Sequence, residues 1–574
     1  MGAIALAVSF CVTHASGQLV TKTDAIPNRG KPPVVFLNGY QRECEGSSFR
    51  GSFGSVDQLL NEEGRVTLFF DNCAFPNHPA IETLGNEFAK FLRGLRYENG
   101  EPVARVDVVA HSMGGLIVRS YLAGKQTQEG VFTPPADTML RKVVLLGTSH
   151  FGSPATNLLA GGGGDAQSAQ LEPGSRFTFD LATWNQGTDD LRGVDTIAVL
   201  GNAANGLLLM RSGFGDGVTT LTSGSLDFTA PGRTRVVPYC HTGGITSFVC
   251  ARGSAQLAQM DSRTHDSFRI LLSFLNDTPE WRSIGTTPQT DPVLSKGGGV
   301  LVRYRDAADR PVTIERAVSP LVEVALLDKS LVFADYAPSA QPLPINLTLS
   351  DNRTASLSVP LLTGATRALN VKSGPSVNAI FPSAAALFPR SVAPGSLISV
   401  YGSVLTTASG TTEVLVAGQP RPQSFASAEQ INTLVPEDAS GLVKVQVKNS
   451  AGEHTVNLII EPVVPALFAP ALNALTGVVV STQAPLRRGD HIALFATGLG
   501  RTETRGGLQW AAVQPQVWFG GQECTVTFAG RAPGFPGLDQ INCQVAANAL
   551  VSDESPVFVY SGGRTSNVTT LALR

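Results

Sequence analysis

Charge is scarce in this chain: Asp, Glu, Lys and Arg make up only 16% of 574 residues, the formal net charge is -3, and no run of Lys or Arg occurs. A phosphate backbone is gripped by a concentrated basic field, so nucleic acid is excluded as a partner. Metal signatures are missing too. There is no Cys-x-x-Cys and no His-Glu-x-x-His, which leaves no zinc site to argue for, and no cofactor is expected. The apolar run at the start, Ala3 to Val12, is about ten residues, too short to span a bilayer but right for the apolar stretch of a signal peptide. No transmembrane segment is expected, and residues 1–17 read as a signal peptide, although the usual positive start is absent.

What the chain does have is apolar mass and turns. Hydrophobic residues reach 43%, with 59 Gly and 36 Pro, which implies several cores, many short strands and about three or four domains of roughly 150 residues. If Cys11 leaves with the signal, six of the seven cysteines remain. They fall into sequence-local pairs, Cys44 with Cys73, Cys240 with Cys250 and Cys524 with Cys543, which suits an oxidising compartment and a secreted protein. Other connectivities stay open on sequence alone.

Up to about Asn276, β-branched apolar runs alternate with helical segments. Strands are expected at Lys31–Leu37, Arg65–Phe70, Arg105–Ala110, Lys142–Leu146, Thr196–Leu200 and Thr234–Pro238, with a helix over Pro79–Arg96 and another over Asp266–Leu275. Such alternation implies a mostly parallel sheet covered on both faces, over residues 31–281. Beyond Trp281 no 3.6-residue period persists. Short alternating strands between Pro, Gly, Asn and Asp turns indicate β-sandwich modules, over 290–376, 377–464 and 465–574. The last two look like copies of one Ig-like unit: Gln430-Ile431-Asn432 and Gln540-Ile541-Asn542 each lead into an extended apolar run.

The strongest motif is Val108-Val109-Ala110-His111-Ser112-Met113-Gly114-Gly115-Leu116. A nucleophile elbow sets Ser on a strained turn between strand and helix, with small residues two places to either side so that the two elements can close. Ala110 and Gly114 meet that need, and Ser112 is the candidate nucleophile. Acyl transfer also needs donors for an oxyanion. The backbone N–H groups of Met113 and of Tyr40, in the loop Leu37-Asn38-Gly39-Tyr40-Gln41, are the candidates.

With the elbow in this context, the first half resembles the α/β-hydrolase lipases and esterases, in the branch of bacterial triacylglycerol lipases and GPI inositol-deacylase-like proteins. Gly147–Pro154, Gln170–Ser175 and Gly215–Val218 add to that likeness, while Asn38-Gly39 stands where many lipases have His-Gly. The Gln-Ile-Asn units resemble Ig-like C-terminal modules of large secreted bacterial proteins, which implies an extracellular bacterial location and possible surface or polymer binding.

The chain order Ser, Asp, His of such hydrolases points to Asp216 as acid, between glycines after its strand, and to His241 as base, directly after the last expected strand. His265 is the rival base. Asp189 and Asp190 precede the strand and are poorer acids, His150 reads as structural, and His111 faces away from the elbow. An ester or lipid substrate is implied, with an apolar insertion, Ala155–Arg192, as a possible mobile cover. A chain ending near Trp281 would then keep hydrolysis of soluble esters. The alternative is a hydrolase fold retired from catalysis and kept as an extracellular binding or adhesion scaffold.

Overall fold

A computed structural model describes residues 25–44, 48–156, 164–204, 215–242, 250, 253–327, 331–338, 342–359, 361–387 and 390–574. The expected signal peptide lies outside these residues.

The first half is built on six short, almost wholly buried strands: β1 (Val34–Leu37), β2 (Thr67–Phe70), β3 (Val106–His111), β4 (Leu140–Leu146), β5 (Asp195–Gly201) and β6 (Thr234–Val237). They pair in parallel throughout, in the order β2-β1-β3-β4-β5-β6. Side chains alternate across a strand, so a sheet buried on both faces needs apolar residues at every position. Thus Val35, Leu37, Val108 and Ala110 pack on one side with Leu84 and Phe88 of α3 (Ile81–Gly94) and Leu116 and Ile117 of α4 (Met113–Ala123). Val34, Phe36, Val109 and Val144 pack on the other with α1 (Phe49–Phe53), α2 (Val56–Glu62) and the final helix of this half, Asp266–Leu275. That last helix has the bounds expected from the sequence.

Because all six strands run the same way, their C-terminal ends share one edge, and the loops there collect side chains from distant parts of the chain. Between β4 and β5, α5 (Ala166–Leu171) and α6 (Arg176–Thr183) fill the described part of the Ala155–Arg192 insertion. This described part packs on the following module: Phe179, with Phe151 before the insertion, is buried with Leu301 and Ala368.

The rest of the chain is all β. One sandwich has sheets ordered 366–372, 297–305, 331–338, 325–327 and 354–359, 343–349, 314–318. The next sets 376–382, 397–403, 430–434, 423–426 against 391–392, 452–460, 441–449, 413–416, 419–420. In the last, strands from Ala466 to Leu573 form one 11-stranded sheet that encloses its own core. The architecture is therefore an α/β-hydrolase domain followed by β-sandwich modules.

The two Gln-Ile-Asn segments occupy equivalent strands. Each Ile is fully buried, and each Gln amide donates to the Asn two residues on, at 2.8 Å for Gln430 and 2.9 Å for Gln540. Two of the three expected disulfides are formed, Cys44–Cys73 and Cys240–Cys250. The third is corrected: Cys524 and Cys543 are free, buried thiols. They sit diagonally on neighbouring strands, Cys543 opposite Val526, with the two thiols in contact but not bridged. Among the described residues no helix is long and apolar enough to cross a membrane, and no cluster suited to a metal ion occurs.

Candidate active site

Ser112 joins β3 to α4 with φ 55° and ψ −124°, a backbone conformation that costs a non-glycine residue of order 1–3 kcal/mol and is tolerated where surrounding packing enforces it. Here a β-carbon on Gly114 would lie 2.6 Å from the Leu37 carbonyl oxygen, and one on Gly39 would lie 2.8 Å from Ser112 Cβ. The turn closes because both residues lack a side chain. It also brings the Gly39 loop directly over the serine.

Asp216 and His241 come from the loops after β5 and β6, and they meet. His241 Nδ1 is 2.7 Å from Asp216 Oδ2, the His241 N–H donates to the Asp216 carbonyl at 2.9 Å, and the two side chains are 4% and 1% exposed. The other carboxylate oxygen accepts the Val218 and Thr219 N–H groups at 3.0 and 2.7 Å. With a carboxylate on Nδ1, that nitrogen carries the proton and Nε2 is left as the acceptor. The Cys240–Cys250 bridge flanks the histidine, and Cys240 is further tied by its N–H to Ala255. Ser112 is held from the same side, since its N–H donates to Leu146 at the end of β4 while a β-carbon on Gly147, the next residue, would lie 2.9 Å from both Asp216 Oδ2 and His241 Nδ1. Among the described residues no hydrogen bond joins the Ser112 hydroxyl to His241.

The remaining histidines and acids separate cleanly. His265 packs on Tyr239, ring centres 4.6 Å apart and planes tilted by 45°, at the start of the final helix, and the Asp216 carboxylate is taken by His241. His111 packs against His241 with ring centres 4.6 Å apart and planes tilted by 39°; burial, then the neighbouring imidazole, holds its pKa well below the ordinary histidine range. It is a neutral wall beside His241. His150 is equally buried and accepts no catalytic partner; Arg119 reaches both its ring and its carbonyl, at 3.3 and 3.0 Å. Asp189 takes the other side of Arg119 at 3.0 Å, and Asp190 accepts the Arg390 N–H at 2.7 Å, so both are committed to structure.

The loop over the serine is fixed by residues that the sequence reading did not single out. Asn72 donates its side-chain amide to the Gly39 carbonyl at 2.7 Å and its N–H to the Asn38 side chain at 3.1 Å. In a trans peptide the carbonyl and the following N–H point opposite ways. Tying the Gly39 carbonyl to Asn72 therefore turns the Tyr40 N–H away from that side. The Met113 N–H, at the first position of α4, has no partner within the helix. The Tyr40 ring itself looks elsewhere: its hydroxyl donates to Asp165 at 3.0 Å, and burial, then that carboxylate, pushes its pKa up to about 12. Asn38 locks the loop to Asp71 and Asn72. The Cys44–Cys73 bridge closes the same region.

The parallel sheet, the elbow and the buried Asp–His pair at one sheet edge are the architecture of an α/β-hydrolase. Residues 375–458 match the IPT/TIG domain family. No curated protein matches the chain. Among solved structures, the chain is similar to phospholipase PlaB from Legionella pneumophila, with 14% identity, 60% of this chain and 93% of that chain covered, and a TM-score of 0.42. A surface glycan-binding protein from Prevotella bryantii shares 13% identity over 34% of this chain and 41% of that one, with a TM-score of 0.14.

Proposed function

We propose that this chain is a secreted serine hydrolase that cleaves carboxylic esters of lipid character, with Ser112 as nucleophile, His241 as base and Asp216 as the acid that fixes the base. The observation that carries this reading is the buried 2.7 Å contact between His241 Nδ1 and Asp216 Oδ2, made by two residues 25 apart in sequence beside a strained serine. In the reaction, His241 Nε2 takes the Ser112 proton as Oγ attacks the ester carbonyl. The oxyanion is met by the N–H groups of Met113 and Tyr40, and His241 returns the proton to the departing alkoxide. Water then enters by the same steps reversed and frees the acid from the acyl-serine. The disulfides near the site and the Ig-like modules support an oxidising, extracellular setting, where those modules would hold the enzyme on a surface or polymer.

A fluorophosphonate probe tests this directly. Covalent labelling of the folded chain at Ser112, located by peptide mass spectrometry and absent in Ser112→Ala, is the expected result. A folded chain left unlabelled would favour the retired scaffold instead.

A further inference from the structure

The two Ig-like modules share single-residue detail around their Gln-Ile-Asn strands, and one difference there exposes a surface. In the first copy Tyr401 lies opposite Gln430 and Phe425 opposite Asn432; in the second, Phe495 lies opposite Gln540 and Phe528 opposite Asn542. The edge strand slips register at the same place in both, between Gln423 and Phe425 and between Val526 and Phe528. The slipped residue even repeats its bond, with Ser424 and Thr527 each donating to the carbonyl of the Asn.

What differs is the cover. In the second copy a hairpin, Thr502–Arg505 with Leu508–Ala511, pairs with that edge strand at Trp510 and Gly530, and the Trp510 ring stands edge-on to Phe528 with centres 4.9 Å apart. Phe528 is left 9% exposed. The first copy has a plain loop, 404–412, at the corresponding point in the chain. Its edge strand, Gln423–Ala426, is the last of its sheet among the described residues, and Phe425 is 49% exposed. Gly530, where the hairpin backbone presses closest, corresponds to Ser427. A partner on the first copy therefore meets the strand further back, beside Phe425 and Ala426.

We infer that the outer edge Gln423–Ala426 is a docking site for an extended polypeptide segment of a partner, added as a further strand with an aromatic side chain set on Phe425. An unpaired edge strand offers unmet backbone groups to another chain, and an edge-to-face aromatic pair adds attraction beyond its buried area. The second copy shows what this surface accepts: a strand and an indole. This inference is independent of the esterase reading.

The test uses the full chain and a fluorescent, backbone-cyclised peptide of residues 501–513, followed by anisotropy. Saturable binding of one peptide per chain is expected, weakened at least about tenfold by Phe425→Ala in the protein and equally by Trp510→Ala in the peptide. Phe425 is half in solvent, so its removal leaves the fold intact, which circular dichroism checks; Phe425→Lys gives a second, independent loss. Equal binding to wild type and Phe425→Ala overturns the proposal. So does absence of binding at millimolar peptide, or binding of a soluble glucan at this face with no binding of the peptide.

Discussion

Gly147 and His241 are so close that a β-carbon on the glycine would stand 2.9 Å from the imidazole Nδ1, and at the same distance from Asp216 Oδ2. The backbone there also has φ 57°, which a side chain resists. Gly147→Ala should therefore push apart the acid and base without touching the serine. Misplacement by about 1 Å costs on the order of 10²-fold, so kcat on a soluble ester should fall by about that factor with KM little changed. Steady-state kinetics alongside a thermal melt checks this, and unchanged kcat would mean that the glycine is no spacer.

Ser112→Ala should lower kcat by about 10⁶-fold and Asp216→Asn by about 10⁴-fold, because the members of a triad act as a unit. Both variants should fold, as neither side chain fills the core that α3 and α4 make with the sheet. More than a tenth of wild-type activity in pure Ser112→Ala would remove the nucleophile assignment.

His241→Ala should abolish turnover while His265→Ala leaves kcat within about twofold. His265 caps the final helix through no side-chain hydrogen bond, so its loss removes packing on Tyr239 and costs at most about 1 kcal/mol. Reversal of the two outcomes would move the base to His265.

The sequence made the sheet legible because each strand is a short apolar run flanked by turns, and the elbow legible because its small residues have one steric purpose. Chain order singled out Asp216 and His241, which the structure brings into contact. The cysteine pairing brought Cys524 and Cys543 into contact but not into a bridge, because sequence separation does not show that the two thiols meet diagonally across a β ladder. Asn72, Gly147 and Thr219 escaped for a related reason: their roles consist of a backbone bond or a missing β-carbon, which only the loops' meeting in space reveals. The fit of the insertion against the modules was equally invisible, since Phe179 and Leu301 are far apart in the chain.

Acid should destabilise the chain from about pH 6.5 downward. His111 and His150 are held well below the ordinary range by burial, and His454 down to about 4 by burial, partly offset by Asp309. His454 Nδ1 also accepts the Val377 N–H at 2.8 Å, a bond that protonation there would abolish. A base with a depressed folded pKa leaves the unfolded chain to take up the proton first. Its stabilisation is complete above the unfolded value and lost as pH falls toward the folded one. For His454 the window is about 6.5 to 4, worth about 3 kcal/mol. Urea unfolding of wild type and His454→Gln across that range should show the variant weaker at pH 7 but flatter toward pH 4; parallel curves would count against this origin.

A chain ended near Trp281 is where the structure alters the expectation from sequence most. Soluble-ester hydrolysis would survive the cut if the β modules merely hung from the catalytic half. Instead the residues just after the elbow's neighbouring strands lean on them. Phe179 is fully buried beneath Leu301, and the Arg303 guanidinium lies 4.1 Å over its ring. Asn457 donates to the Trp184 carbonyl at 2.6 Å, the Ile380 N–H donates to Gln186 at 2.7 Å, and Arg192 pairs with Glu461 at 2.9 Å. Exposing the Phe179 side chain costs about 1.5–3 kcal/mol, and Asp180 loses Arg303 while keeping Lys125. The shortened chain should therefore melt at lower temperature, bind an apolar dye, and lose activity as the insertion loosens against the site. Leu301→Asp in the full chain should reproduce the first two effects without deleting anything. Wild-type melting and activity in the shortened chain would show that these contacts carry no weight.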